Sequence, residues 1–245
     1  MNDWKIRLYA NYVSSEQGAS KQLAYKSSLS TKSYPYYLNL IKKFIPKDYS
    51  LKIADLGCGH GALLFCLKEL GYKNLSGADL SAEQVNLAHK FGITEVCQKD
   101  LILFLDESSE SYDVIFIMDV LEHLDMDELF SLLDRVYKKL NVDGILVIHV
   151  PNGAGLFGMR IRYGDLTHVT CFTTSSMRQL LSTCGFNKIR YSEDIPVIHG
   201  FKSCLRYFLW KILTIFPRVL LLAETGKMRH ILSQNFLAVA KKSNS

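Results

Sequence analysis

The segment Asp119-Val120-Leu121-Glu122-His123, together with the distant His168, carries residue types that move protons or hold metal ions. If residues 119–123 form a helical turn, Asp119, Glu122 and His123 stand at i, i+3 and i+4 and share one face. With His168, from Gly164-Asp165-Leu166-Thr167-His168-Val169-Thr170, they make two carboxylates and two imidazoles. That is a mixed oxygen and nitrogen donor set for a divalent ion such as Mg²⁺, Mn²⁺ or Zn²⁺. The same groups suit metal-free catalysis, in which His123 or His168, supported by Asp119, takes the proton of an acceptor hydroxyl. Structural hydrogen bonding around a pocket is a third reading, and all three stay open at this point. A second constellation is Ile53-Ala54-Asp55-Leu56-Gly57-Cys58-Gly59-His60-Gly61. Its glycines permit positive φ and a close backbone approach to a ligand. Gly57, Gly59 and Ala62 satisfy the G-x-G-x-x-[G/A] pattern of dinucleotide-binding turns, where pyrophosphate sits over a helix N-terminus. Asp55, on the lip of the turn, would repel a pyrophosphate and suits a ligand bearing an ammonium group. An NAD-binding protein remains the alternative from another functional class.

The elements that must position these residues alternate in type. Apolar strand patterns at Leu51–Leu56, Leu75–Asp79, Ile93–Cys97, Tyr112–Met118 and Leu140–Asn152 are separated by helical patterns. Such alternation predicts a doubly wound parallel sheet with ligands at the C-terminal ends of the strands. Tyr36 to Phe44 has helical apolar spacing and is expected to pack on the sheet. A helix over Ser175–Leu181, a strand over Phe186–Tyr191 and a last strand over Asn235–Ala240 follow the fifth unit. Residues 1–50 read as an N-terminal lid and helical lead-in, with Tyr9, Tyr12 and Tyr34 to Tyr37 as candidate aromatic lid residues. Residues 51–245 read as the main domain, and 193–232 as a helical insertion within it.

The run Asp55-Leu-Gly-Cys-Gly-His-Gly61 resembles the first motif of class I S-adenosylmethionine-dependent methyltransferases. The later strand ends fall in the order that this family requires. The resemblance implies a Rossmann-like α/β fold, with a seven-stranded sheet whose last strand is antiparallel. It places S-adenosylmethionine against Asp55, Gly57, Cys58, Gly59 and Gly61, with Asp79 and Leu80 at the ribose. Asp100 and Leu101 are implied at the adenine, and Met118 beside the same pocket. The D-x-x-E-H spacing with a distant His also resembles metal-assisted O-methyltransferases, such as ubiquinone-pathway catechol methyltransferases and small-RNA 2′-O-methyltransferases. The stretch from His168 to Leu181, followed by Cys184-Gly185-Phe186, resembles small-molecule methyltransferases of surface-glycan pathways. The implied acceptor is a sugar hydroxyl of a cell-surface polysaccharide (O-antigen or capsule) or of its precursor. A phenolic, quinone-like lipid is the alternative acceptor.

Composition sets the remaining bounds. A chain of 245 residues with 48% hydrophobic residues fits one globular domain with decorations. The six cysteines form no C-x-x-C pair and read as free thiols rather than a disulfide framework or zinc ribbon. A net charge of +5, without a clustered basic stripe, gives no expectation of nucleic acid as a partner. The N-terminus shows no secretory pattern, so a cytoplasmic location is expected. The apolar stretch from Leu205 to Phe216 is interrupted by Arg206 and Lys211, too short and too charged to span a bilayer. It reads either as a cap burying its apolar face on the domain or as a homodimer contact. A peripheral membrane contact through residues 205–222, at the inner face of the membrane, is the alternative. Arg160, Arg162 and Arg190 are candidates to face an anionic acceptor.

Overall fold

The computed structural model describes residues 34–243. The first half runs α1 (Tyr34–Phe44), β1 (Lys52–Leu56), α2 (Ala62–Glu69), β2 (Asn74–Asp79), α3 (Ala82–Lys90), β3 (Val96–Gln98), α4 (Leu101–Glu107) and β4 (Tyr112–Met118). After a 3-10 turn at Leu121–His123 come α5 (Met126–Lys139), β5 (Leu140–Pro151), α6 (Gly158–Arg162) and α7 (Thr174–Thr183). The chain ends with β6 (Lys188–Glu193), α8 (Phe201–Leu213), α9 (Ile215–Thr225) and β7 (Asn235–Lys241). Tyr9 and Tyr12, expected in a lid, lie outside the described residues.

Seven strands form one sheet in the order β3-β2-β1-β4-β5-β7-β6. The first five are parallel, and β7 runs antiparallel to both β5 and β6. This is the expected fold class. The third strand is shorter and later than the sequence pattern suggested. Ile93 is buried against the helices beside α3 instead of pairing in the sheet.

β4 shows how the sheet is covered. Side chains alternate across a strand, so Val114 and Phe116 join Leu40 and Ile41 of α1 and Leu63, Leu64 and Leu67 of α2. Ile115 and Ile117 face the other way, among Leu132, Leu133 and Val136 of α5 and Met177 and Leu181 of α7. Burial on both faces explains why β4 and β5 read as continuous apolar runs. Each such side chain removed from water contributes about 1.5–3 kcal/mol. Helix starts are fixed locally: Asp125 and Glu128 form a capping box on α5, and Thr173 and Ser176 form one on α7.

The strand order reverses between β1 and β4, which opens a crevice at their C-terminal ends. The segments after β1 and β4 therefore meet, although more than fifty residues separate them in sequence.

The insertion is a pair of helices, α8 and α9, divided at Thr214. Arg218 anchors it, donating to Glu193 Oε1 at 2.6 Å and to the carbonyl of His230 at 2.7 Å. The expectation of a cap burying its apolar face on the domain is not met. α8 buries only Ser203, and α9 buries none of its residues. Among the described residues, no helix is long and apolar enough to cross a membrane. All six cysteines are free.

Candidate active site

Gly57, Gly59 and Gly61 all adopt positive φ, at 76°, 53° and 78°. A Cβ on Gly57 would come within 2.3 Å of Val120 Cγ2, so only glycine lets the turn pack against the segment after β4. Asp79, expected at the ribose, also organises the turn. Its Oδ2 accepts from the amide of Gly59 and its Oδ1 from that of Ser81, both at 2.8 Å. Asp55 is 2% exposed, and its Oδ1 meets no hydrogen-bond partner among the described residues. Burial, then the charge of Asp79, pushes the Asp55 pKa up to about 7. A buried carboxylate in this state attracts a compensating cation. Cys58 is no nucleophile, because burial and then the neighbouring Asp55 raise its thiol far above the usual range.

Asp100 stands two residues beyond β3 and caps α4. Its Oδ1 accepts from the amides of Ile102 at 2.9 Å and Leu103 at 3.2 Å, and the cap does not use its second oxygen. Leu101 and Met118 are half-buried, and Leu80 is exposed. Leu80 follows β2, Asp100 and Leu101 follow β3, and Met118 is the last residue of β4, so all lie at the C-terminal edge of the sheet.

The structure brings together three of the four expected metal ligands. Ligand atoms of Glu122, His123 and His168 all lie within 4.8 Å of one another. Backbone hydrogen bonds bridge the sequence gap: the amides of Val169 and Thr170 donate to the carbonyl of Glu122 at 2.8 and 3.0 Å. Thr170 Oγ1 donates to the carbonyl of Leu124 at 2.6 Å. Arg162 ties down the same loop by donating to the carbonyls of His168 and Val169. Its expected role toward an anionic acceptor is therefore replaced by a structural one.

Hydrogen bonding fixes both imidazole tautomers. Thr167 Oγ1 has one proton and gives it to Asp165 Oδ1 at 2.6 Å, since a carboxylate only accepts. It must then accept from His123 Nδ1, 2.8 Å away. His168 Nδ1 lies 3.1 Å from the carbonyl of Ile161, which also only accepts. In the neutral form of either ring the lone pair is then on Nε2. Burial, then His168, lowers the His123 pKa to about 4, so the ring is neutral near pH 7. Glu122 is 1% exposed, its Oε2 lacks a partner among the described residues, and its Oε1 lies 4.0 Å from His168 Nε2. Burial, followed by the charge of Asp119, raises its carboxyl well above the usual range. Two imidazoles and a buried carboxyl group fit a divalent cation, with Mn²⁺ or Zn²⁺ better matched to the nitrogens than Mg²⁺.

Asp119 is placed differently from the expectation. Its φ of 57° breaks the supposed helical turn, and the 3-10 turn begins only at Leu121. Asp119 Oδ1 pairs with His149 Nδ1 at 2.7 Å, while His149 Nε2 faces Asp194 Oδ2 at 3.2 Å. Burial opposes protonation of His149, but the two carboxylates prevail and hold it charged well above the ordinary imidazole range. The sequence reading missed both His149 and Asp194. The available signal was a single imidazole within the otherwise apolar run of β5. Tyr36 stands edge-on to His149, with ring centroids 6.3 Å apart. Tyr36 and Asp194 also line a cavity of 270 Å³ with Pro196, His199 and Arg206. In the turn after β5, Asn152 Nδ2 donates to the carbonyls of Ile231 and Ser233, each at 2.9 Å.

Comparison with known proteins agrees with this geometry. Residues 31–191 match the family model of a methyltransferase domain. A small RNA 2′-O-methyltransferase of Mus musculus is 27% identical over 152 residues, 56% of this chain and 37% of that protein. A mitochondrial ubiquinone biosynthesis O-methyltransferase of Saccharomyces cerevisiae is 28% identical over 118 residues, 46% of this chain and 37% of that protein. The matches thus span little more than a third of these curated relatives. In fold, the chain is similar to a SAM-dependent methyltransferase from Archaeoglobus fulgidus, with a TM-score of 0.64 and 21% identity over 89% of this chain and 96% of that one.

Two outcomes follow from the geometry. Thr167→Val removes the group that orients His123, and Mn²⁺ affinity measured by calorimetry should fall about 10–100-fold. The folded pKa of Asp55 lies above its unfolded value of 3.8, so its ionisation costs stability that is absent near pH 4 and complete above pH 7. Asp55→Asn should therefore stabilise the donor-free protein against urea above pH 7 and leave it nearly unchanged near pH 4.

Proposed function

We infer that this chain, which belongs to the methyltransferase-domain family, transfers a methyl group from S-adenosylmethionine to an acceptor hydroxyl activated at a divalent-cation site. The observation that carries the hydroxyl acceptor is the cluster of Glu122, His123 and His168. Both rings have Nδ1 within hydrogen-bond distance of an oxygen, and ligand atoms of the two imidazoles and the buried Glu122 carboxyl lie within 4.8 Å of one another.

S-adenosylmethionine, when bound, supplies an already activated methyl group, so the protein must chiefly position donor and acceptor. Asp55 would neutralise the donor's ammonium group, Asp79 would take the ribose hydroxyls, and Asp100 would take the adenine amino group. Gly57 and Gly59 keep side chains out of that space. A divalent cation held by Glu122, His123 and His168 would lower the pKa of a coordinated hydroxyl. Asp165 and Thr167 hold His123 in the required tautomer, and Arg162 holds the loop that carries His168. Asp119, clamped by His149, stands at the end of β4 beside both groups and shapes the acceptor side.

A phenol carried on a quinone-like lipid is the acceptor reading with the more support. One relative is named as an O-methyltransferase of ubiquinone biosynthesis, and the outward apolar helices α8 and α9 suit an acceptor with a hydrophobic tail. The sugar hydroxyl of a surface polysaccharide rests on the motif from His168 to Phe186 alone. It is kept as the second reading because the small-RNA relative's name specifies a sugar hydroxyl.

The protein stripped of metal by a chelator should lose methyl transfer to a polyprenyl catechol and regain it with Mn²⁺ or Zn²⁺. Glu122→Gln should lower kcat about 100-fold even with excess metal. Full turnover after verified metal removal would leave His123 or His168 as a metal-free base. Methylation of glycan extracts but not of the catechol, read as a mass gain of one methyl group, would select the second acceptor.

A further inference from the structure

The helix α8 is amphipathic in the reverse of the usual sense for a helix on a soluble domain. Phe201, Leu205, Phe208 and Ile212 follow i, i+4, i+7 and i+11, and all four face solvent, 86%, 52%, 55% and 61% exposed. The complementary stripe of Ser203, Tyr207, Trp210 and Thr214 is the one turned inward. α9 repeats the arrangement: Arg218 points in to Glu193, while Phe216 and Leu220 face out, 71% and 53% exposed. A folded monomer rarely leaves so much contiguous apolar surface in water unless something covers it.

Charge identifies what covers it. Residues 199–230 contain six lysines and arginines and a single acid, Glu224, so this segment's balance equals the +5 of the whole chain. Five of those cations are exposed, Lys202 and Lys211 among them on α8 itself, while Arg218 is turned in to a carboxylate. A symmetric pair of chains would face this patch with its own copy and bring like charges together. An anionic surface would be attracted by the cations while accepting the apolar side chains. With 13 residues α8 is about 20 Å long, too short to cross a bilayer and suited to lying along its surface.

We propose that the outward faces of α8 and α9 dock this protein on the surface of an anionic phospholipid bilayer, with Phe208 and Ile212 inserted and Lys202 and Lys211 at the headgroups. The inward face of α8 contributes Ser203 and Arg206 to the cavity that Tyr36 and Asp194 also line. Docking therefore brings the part of the domain behind α8, where that cavity lies, close to the bilayer surface. It requires neither donor nor metal, so it stands or falls apart from the catalytic reading.

The test is co-sedimentation of the full chain with phosphatidylcholine vesicles, with and without phosphatidylglycerol. The wild type should pellet with the anionic vesicles and be released by high salt. Phe208→Ser with Ile212→Ser should weaken partitioning at least about tenfold. Lys202→Glu with Lys211→Glu should do the same through charge alone, since each cation near such a surface is worth about 1 kcal/mol. Both variants should bind S-adenosylhomocysteine as the wild type does, which verifies folding. If the wild type stays in the supernatant with both vesicle types, the proposal fails. A lipid-free dimer that the Phe208→Ser, Ile212→Ser variant converts to a monomer would overturn it in favour of a second copy of the chain.

Discussion

The structure depends on one unfavourable placement, a carboxylate buried at the centre of the sheet. Asp55 is the last residue but one of β1, the strand at which the sheet order reverses, and no hydrogen-bond partner meets its Oδ1 among the described residues. A second carboxylate, Asp79, stands close enough to raise its pKa further. Replacing Asp55 with an apolar residue would relieve the strain but remove the attraction for a positively charged ligand. The glycine turn beside it is equally constrained. A Cβ at Gly57 would collide with Val120 and one at Gly61 would crowd Ile93 at 3.1 Å, and both positions hold a positive φ that side chains disfavour. On the proposed function, the crevice would be preorganised for a cation with a sugar attached, and its free energy cost would be met when that ligand binds.

The acceptor side is built by a different device. Glu122 and His123 come from the turn after β4, and His168 comes from a loop more than forty residues later. Backbone hydrogen bonds to the carbonyl of Glu122 and the grip of Arg162 hold the two together. Because Asp165, Thr167 and the carbonyl of Ile161 fix the ring tautomers, the donor atoms are set before any ion arrives. Preorganisation of this kind reduces the reorganisation required of the reacting groups.

The parts of this arrangement that were legible in the sequence depend on local spacing. Asp55, the glycines and Asp79 are constrained by a strand, a turn and a helix start within a short stretch, so their roles follow from their neighbours. The ends of β4 and β5 were legible for the same reason, as unbroken apolar runs. Asp119 was misplaced because helical spacing assumes ordinary backbone angles, whereas its positive φ turns it toward His149. The partnership of His149 with Asp194 joins residues 45 apart and has no local signature. Arg162 resembled any surface cation until its carbonyl partners were visible. Of the readings open for the insertion, the cap that buries its apolar face is the one the structure does not bear out. Its period was helical, but periodicity alone does not say whether the apolar stripe faces the domain or the surroundings.

The account's central claim is that the crevice binds a cationic sulfonium donor rather than a dinucleotide, and calorimetric titration tests it most directly. S-adenosylhomocysteine, which keeps the donor's ammonium and ribose, should bind near pH 7 with release of a proton. Asp55, with a pKa of about 7, is partly protonated there and must ionise to meet the ammonium. The proton count follows from the dependence of the binding enthalpy on buffer ionisation, and NADH should give no heat under the same conditions. Tight binding of NADH with no binding of S-adenosylhomocysteine would contradict the account.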